Sequence, residues 1–85
     1  MIWAVVVARA AQKQLAKFPA KDQDRVVAAL VAMQADPFSG DINKLEGESD
    51  RWRRRVGSYR IFFAVDRAAR TLSVNAIVLR TSATY

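Results

Sequence analysis

Five arginines, at positions 51, 53, 54, 55 and 60, fall within one short stretch, DRWRRRVGSYRIFFAVD, from Asp50 to Asp66, with no acid between its ends. A guanidinium is a planar, permanently charged fork that can grip two phosphate oxygens at once. Most surfaces mix signs of charge, so a one-sign run of such forks suits a phosphate backbone. The rest of the chain narrows the chemistry. It contains no histidine and no cysteine. Ser–His and Cys–His mechanisms are therefore excluded, and a zinc site loses its usual ligands. Any reaction must run without the side chain that titrates nearest neutrality.

Composition points the same way. Fourteen cations against eight acids leave a net charge of +6 on 85 residues. A small basic domain attracts polyanions, with RNA or DNA the first candidate and an acidic protein the second. A chain of this length is expected to form one domain, residues 1–85, and to bury only about 60–65% of its unfolded surface. No disulfide can assist it. The opening MIWAVVVARA is apolar but short, lacks a basic flank, and meets charge again at Arg9. It is too brief for a signal peptide or a membrane span. It reads as a buried edge or inner strand of a cytoplasmic protein, and the absence of cysteine agrees with that compartment.

The elements that must position the arginines can be read from periodicity. Ile2–Val7 is a β-branched run and predicts a first strand. From Ala8 to Phe18 the period changes, with Ala8, Ala11, Leu15 and Phe18 on one helical face, and Pro19 ends that helix. A second helix is expected over Asp22–Ala35, burying Val26, Val27, Leu30, Val31 and Met33, and stopped by Asp36-Pro37. Ser39–Asp41 is a turn and Ile42–Leu45 a short extended piece. Arg51–Val56 and Tyr59–Asp66 form a hairpin about Gly57-Ser58. Arg67–Arg70 turns into a last strand over Thr71–Arg80. The order β-α-α-β-β-β predicts an α+β fold: a mainly antiparallel sheet with a two-helix hairpin packed on one face.

Alternation along the strands sorts the arginines. Trp52, Arg54 and Val56 share one face with Tyr59, Ile61, Phe63 and Val65. Arg51, Arg53 and Arg55 share the other with Arg60, Phe62, Ala64 and Asp66. The helices can cover only one face, so the apolar set belongs beneath them and the arginines on the open side. The plain alternative is a wet sheet face whose arginines deter edge pairing. Trp52 and Trp3 read as packing residues.

These residues also carry a resemblance. Lys44-Leu45-Glu46-Gly47, the segment Arg53–Ile61 (RRRVGSYRI), the turn after Asp66, and a final strand ending at Arg80 with Tyr85 beyond it resemble the RelE/ParE superfamily of bacterial toxins. The likeness extends over nearly the whole chain, and RVGSYRI is its most specific part. The resemblance to the RelE branch implies the toxin of a type II toxin–antitoxin pair that cleaves messenger RNA in the ribosomal A site. Its implied partners are a cognate antitoxin, the ribosome and message, and operator DNA engaged through the antitoxin.

The implied reaction is attack of a ribose 2′-OH on the adjacent phosphate, leaving a 2′,3′-cyclic end, without metal or other cofactor. By resemblance, Arg55 and Arg60 would hold and neutralise the phosphate, Arg80 would sit by the leaving oxygen, Tyr85 would stack on a base or orient the nucleotide, and Arg53 would lie near the 2′-OH. Lys44 and Arg51 would add RNA contacts. Arginine stands at 53 and 55 where that branch often has lysine, and Leu79 precedes Arg80 where relatives often carry a basic residue or histidine. Arginine, which stays protonated at any working pH, does not serve as a base. Catalysis would therefore rest on positioning and electrostatics. Two other readings use the same features: a ParE-like inhibitor of DNA gyrase, which binds rather than cuts, and a nucleic-acid-binding module without toxicity.

Overall fold

A computed structural model describes residues 2–47 and 49–80. The elements follow in the order β1 (Ala4–Val7), α1 (Arg9–Ala16), α2 (Ala20–Ala35), β2 (Asp41–Lys44), β3 (Arg51–Val56), β4 (Tyr59–Asp66) and β5 (Thr71–Leu79). They build one five-stranded sheet in the order β1-β5-β4-β3-β2. Only β1 and β5 run parallel; the other neighbours are antiparallel. The expected α+β architecture is present, with the helical hairpin on one face.

Three expectations need correction. The piece at Ile42–Leu45 is a full edge strand, β2, shifted one residue earlier and paired along β3. The second helix starts at Ala20, because Pro19, besides following the first helix, takes the N-cap position of the second. Its buried ridge is Val26, Ala29 and Met33, whereas Val27 and Val31 are exposed. The physical reason is spacing: positions 26, 29 and 33 recur at three and four residues and stack on one side, while 27 and 31 lie around the helix. The first strand is an edge strand, half-covered on alternate residues.

The core lies between the helices and the middle of the sheet. Ile61, Phe63, Leu72, Val74 and Ile77 are buried against Ala11, Val26, Ala29 and Met33. Each large side chain there contributes about 1.5–3 kcal/mol relative to exposure. Strand β4 is central and alternates without exception up to Val65, with every odd position buried. Gly57 opens the β3–β4 turn with φ +57°, the backbone that a two-residue hairpin turn with glycine first requires.

Polar contacts lock the helices to the sheet. The Tyr59 hydroxyl donates to Asp22 Oδ2 at 2.7 Å, and the Tyr59 ring lies 4.3 Å from that of Phe18. Strand β1 pairs with β5 only as far as Val74. Beyond that point the edge of β5 is covered by α1, and Gln14 Oε1 accepts the Ile77 amide at 2.7 Å. This matters because a covered strand edge without partners carries a desolvation cost.

Candidate nucleic-acid interface

The β2–β3–β4 part of the sheet presents its cations as the alternation predicts. On the uncovered face Arg51 lies opposite Ala64, Arg53 opposite Phe62, and Arg55 opposite Arg60. Across the other edge of β3, Asp41 lies opposite Arg55 and Asn43 opposite Arg53. Directly opposed strand residues have Cβ atoms about 4.5–5.5 Å apart, so Arg55 and Arg60 crowd two positive charges together. Arg53, Arg55 and Arg60 line a small cavity of about 90 Å³ with Asp41 and Asn43. That volume corresponds to roughly three water molecules at ~30 Å³ each.

An acid does reach this cluster, from a strand rather than from the local sequence. Asp41 Oδ2 accepts from Arg55 Nε at 3.0 Å, with both side chains about half exposed. This pair partly offsets the repulsion between Arg55 and Arg60 and fixes the plane of the Arg55 guanidinium. The acid at the head of the arginine stretch is used elsewhere. Asp50 accepts from Arg67 Nε at 2.6 Å and from the Trp52 indole at 2.8 Å. The Arg67 bond, then the Trp52 bond, holds the Asp50 carboxyl below its ordinary range, and the same contact raises Arg67. The Tyr59 hydroxyl is shifted upward, chiefly by the bond it donates to Asp22. These groups brace the frame of the site.

The remaining expected site residues divide. Arg51 is on the open face but exposed, about 13 Å along β3 from Arg55 at ~3.3 Å per residue. The amide of Arg80 donates to the Ser58 carbonyl at 2.6 Å. This extends the β4–β5 register by one residue and sets Arg80 on the same side of the sheet as Val78, the partner of Arg60. Lys44 does not join the cluster. It lies opposite Trp52, on the helical side, and its Nζ folds back towards the carbonyls of Gly47 and Ser49 at 3.4 and 3.5 Å. Tyr85 lies outside the described residues.

Two features went unread in the sequence. Asp41 was assigned to a turn, and only strand pairing brings it to Arg55. Arg54 falls, as expected, on the helical side, yet it is not merely a surface charge there. Its guanidinium packs on Gly40, where a Cβ would stand 2.9 Å from Arg54 Cζ. Glycine is favoured at 40 by its φ of +80°, and a side chain there would also displace the end of Arg54. Trp52 packs on Phe38 at 5.1 Å and Trp3 on Phe38 at 6.5 Å, both edge-on, as packing residues do.

An antiparallel sheet, one parallel edge, a helical hairpin on one face and arginines on the other define a compact class of small α+β proteins. No protein-family model and no curated protein matches the sequence. Solved structures match across the whole fold. The archaeal RelE–RelB complex from Pyrococcus horikoshii OT3 is 24% identical, covering 98% of this chain and 100% of that one, with a TM-score of 0.85. The isolated E. coli RelE toxin is 18% identical over 96% of this chain and 88% of that one, at 0.81. The YoeB/ParE toxin from Agrobacterium tumefaciens is 16% identical over 92% and 99%, at 0.75. The chain has the fold of the RelE toxins.

Proposed function

We propose that this chain is the toxin of a type II toxin–antitoxin pair and that it cuts messenger RNA in the ribosomal A site. The observation that carries the reading is the convergence of Arg53, Arg55 and Arg60 on one cavity of the uncovered face, in a chain with the fold of the RelE toxins. The 2′-oxygen attacks the neighbouring phosphorus, its proton leaves, and the 5′-oxygen departs and takes up a proton. The products are a 2′,3′-cyclic phosphate and a 5′-hydroxyl. Charge gathers on the phosphate oxygens in that transition state, and fixed guanidinium donors act where it gathers. Arg55 and Arg60 hold the phosphate, Arg53 lies by the 2′-OH, Arg80 serves the leaving oxygen and Tyr85 stacks on a base. No arginine accepts the proton, so the ribosome must supply much of the alignment, an effect worth several kcal/mol. Ribosomes and message put this activity in the cytoplasm, and among the described residues no helix is long and apolar enough to cross a membrane.

A free nuclease of this kind would harm its host. A neighbouring gene is therefore expected to encode an antitoxin with an acidic segment, and the pair to bind operator DNA through the antitoxin. The archaeal structural match is itself a RelE–RelB complex. Co-expression with the neighbouring reading frame and co-purification test this partner.

Gyrase inhibition is the second reading. It draws on arginine rather than lysine at 53 and 55 and on the match to a YoeB/ParE toxin. Primer extension on ribosome-bound message, run beside a gyrase supercoiling assay, separates the two. New 5′ ends that form rapidly on ribosome-bound message, beside slow and EDTA-insensitive cutting of naked RNA, support cleavage. No new ends together with lost supercoiling support the gyrase reading.

A further inference from the structure

The covered side of the β3–β4 hairpin holds a second cationic feature, apart from the open-face cavity. A cleft of about 500 Å³ runs between α2 and the β2–β3 corner, with Arg25, Ala28, Ala29, Gly40, Arg54 and Val56 among its walls. Arg54 is half-buried within it. Its Nε–H is shielded from water and has no hydrogen-bond partner among the described residues. Its Nη1 makes one long contact, 3.4 Å, to Ser39 Oγ. Arg25 approaches the same cleft from α2, with its Nη2 3.0 Å from where a Cβ on Gly57 would stand. Two guanidiniums thus face one cleft, and one has a buried donor left over. The Asp41–Arg55 pair stands at the corner and lines both this cleft and the open-face cavity, and its opposite charges add no net charge to the cleft.

The Nη groups of Arg54, held by no more than the long Ser39 contact among the described residues, leave charged donors that an anion in the cleft can take. The walls indicate which anion. Ala28, Ala29 and Val56 are apolar, and α2 continues the surface with exposed Val31, one turn beyond Ala28, and exposed Val27. Nucleic-acid interfaces are polar and wet. Protein interfaces join apolar patches to buried arginine anchors. We infer that this cleft is a docking site for a partner protein's helix or strand carrying a carboxylate flanked by aliphatic residues. The carboxylate seats between Arg54 and Arg25, and the aliphatic side chains lie on Val27, Ala28 and Val31. The inference is independent of whether the open face cuts RNA.

The test uses the full chain, ¹⁵N-labelled, with the Arg54 Nε–Hε signal assigned through Arg54→Lys. Three probes are titrated: a 14-residue amphipathic peptide of leucine, alanine and glutamate, the same peptide with glutamine for glutamate, and hexauridylate. The acidic peptide is expected to shift the Arg54 signal and to bind at least tenfold more tightly than its glutamine counterpart. Arg54→Leu is expected to weaken that peptide at least tenfold while leaving the urea midpoint unchanged or higher. Hexauridylate shifting Arg54 as strongly as the peptide would overturn the inference in favour of a phosphate subsite. No shift with any probe, or a lower urea midpoint in Arg54→Leu with peptide affinity unchanged, would overturn it in favour of a structural arginine.

Discussion

On the helical side of the β3–β4 hairpin, Tyr59, Ile61, Phe63 and Val65 are buried and bind two helices to the sheet. One residue out of step, Arg53, Arg55 and Arg60 gather round a cavity that no helix covers. The same hairpin serves both sides because a strand's side chains alternate, so core and charge never compete for a position. Arg54 tests that rule, since it holds a core-side position with a charged group. It is tolerated because it sits at the margin of the helical layer, on Gly40, with its guanidinium in a cleft.

The comparison predicts opposite outcomes for neighbouring phenylalanines. Phe63→Ala removes a buried ring from the core and is expected to cost about 3–5 kcal/mol. That is a large share of the stability of a domain whose total is about 5–15 kcal/mol. Phe62→Ala, on the open face, is expected to cost about 1 kcal/mol, near the centre of the distribution for single substitutions. Urea unfolding of both variants measures the difference. Equal losses would mean that the two faces are not distinct in packing.

A smaller effect separates the two faces in chemistry. Arg53→Lys keeps the charge on the open face and restores a group that can release its proton among like charges. Cleavage of ribosome-bound message is expected to be retained or to rise, by up to the ~10²-fold lower range of general base catalysis. Initial rates of new 5′-end formation measure it, and a large drop would assign the bidentate fork of Arg53 itself to the site.

The faint end of the scale is pH. The carboxyl of Asp50 is held below its ordinary 3.8, first by Arg67 and then by the Trp52 indole. Its contribution to stability is complete above that value and is lost as pH falls below it. Tyr59 behaves in the opposite sense. Its hydroxyl is raised above 10.0 by the bond to Asp22, so that contribution is complete below pH 10 and lost as pH rises further. Urea midpoints are expected to be flat between these limits. Asp50→Asn should shallow the acid limb, and Asp22→Asn the alkaline one.

Much of this was legible in the sequence, for reasons that particular residues make plain. The β-branched and aromatic run Tyr59–Val65 has one period only, so its faces followed directly, and Gly57-Ser58 fixed the register of β3 against β4. Helix α2 was harder, because Val27 and Val31 are as apolar as Val26. Only packing against the sheet decides which ridge is buried. Strand β2 was legible only as a short extended piece over Ile42–Leu45, because Asp41 has the composition of the preceding turn and joins the strand through its pairing with β3. That pairing also turned Lys44 to the helical side and brought Asp41 to Arg55, two outcomes that no local pattern encodes. The alternation placed Arg54 correctly, but its buried Nε follows from the approach of Gly40 across fourteen positions of chain.

The central claim is that the open-face arginines form a placed site rather than a general positive charge. The most direct measurement compares two single-charge deletions in cells, with circular dichroism on each purified variant. Arg60→Ala removes a cation from the open-face cavity. Lys21→Ala removes an exposed one from α2, in the helical layer. With both variants folded, Arg60→Ala is expected to abolish growth arrest on induction, while Lys21→Ala arrests growth like the parent chain. Equal weakening by the two substitutions, or full arrest by folded Arg60→Ala, would contradict the claim.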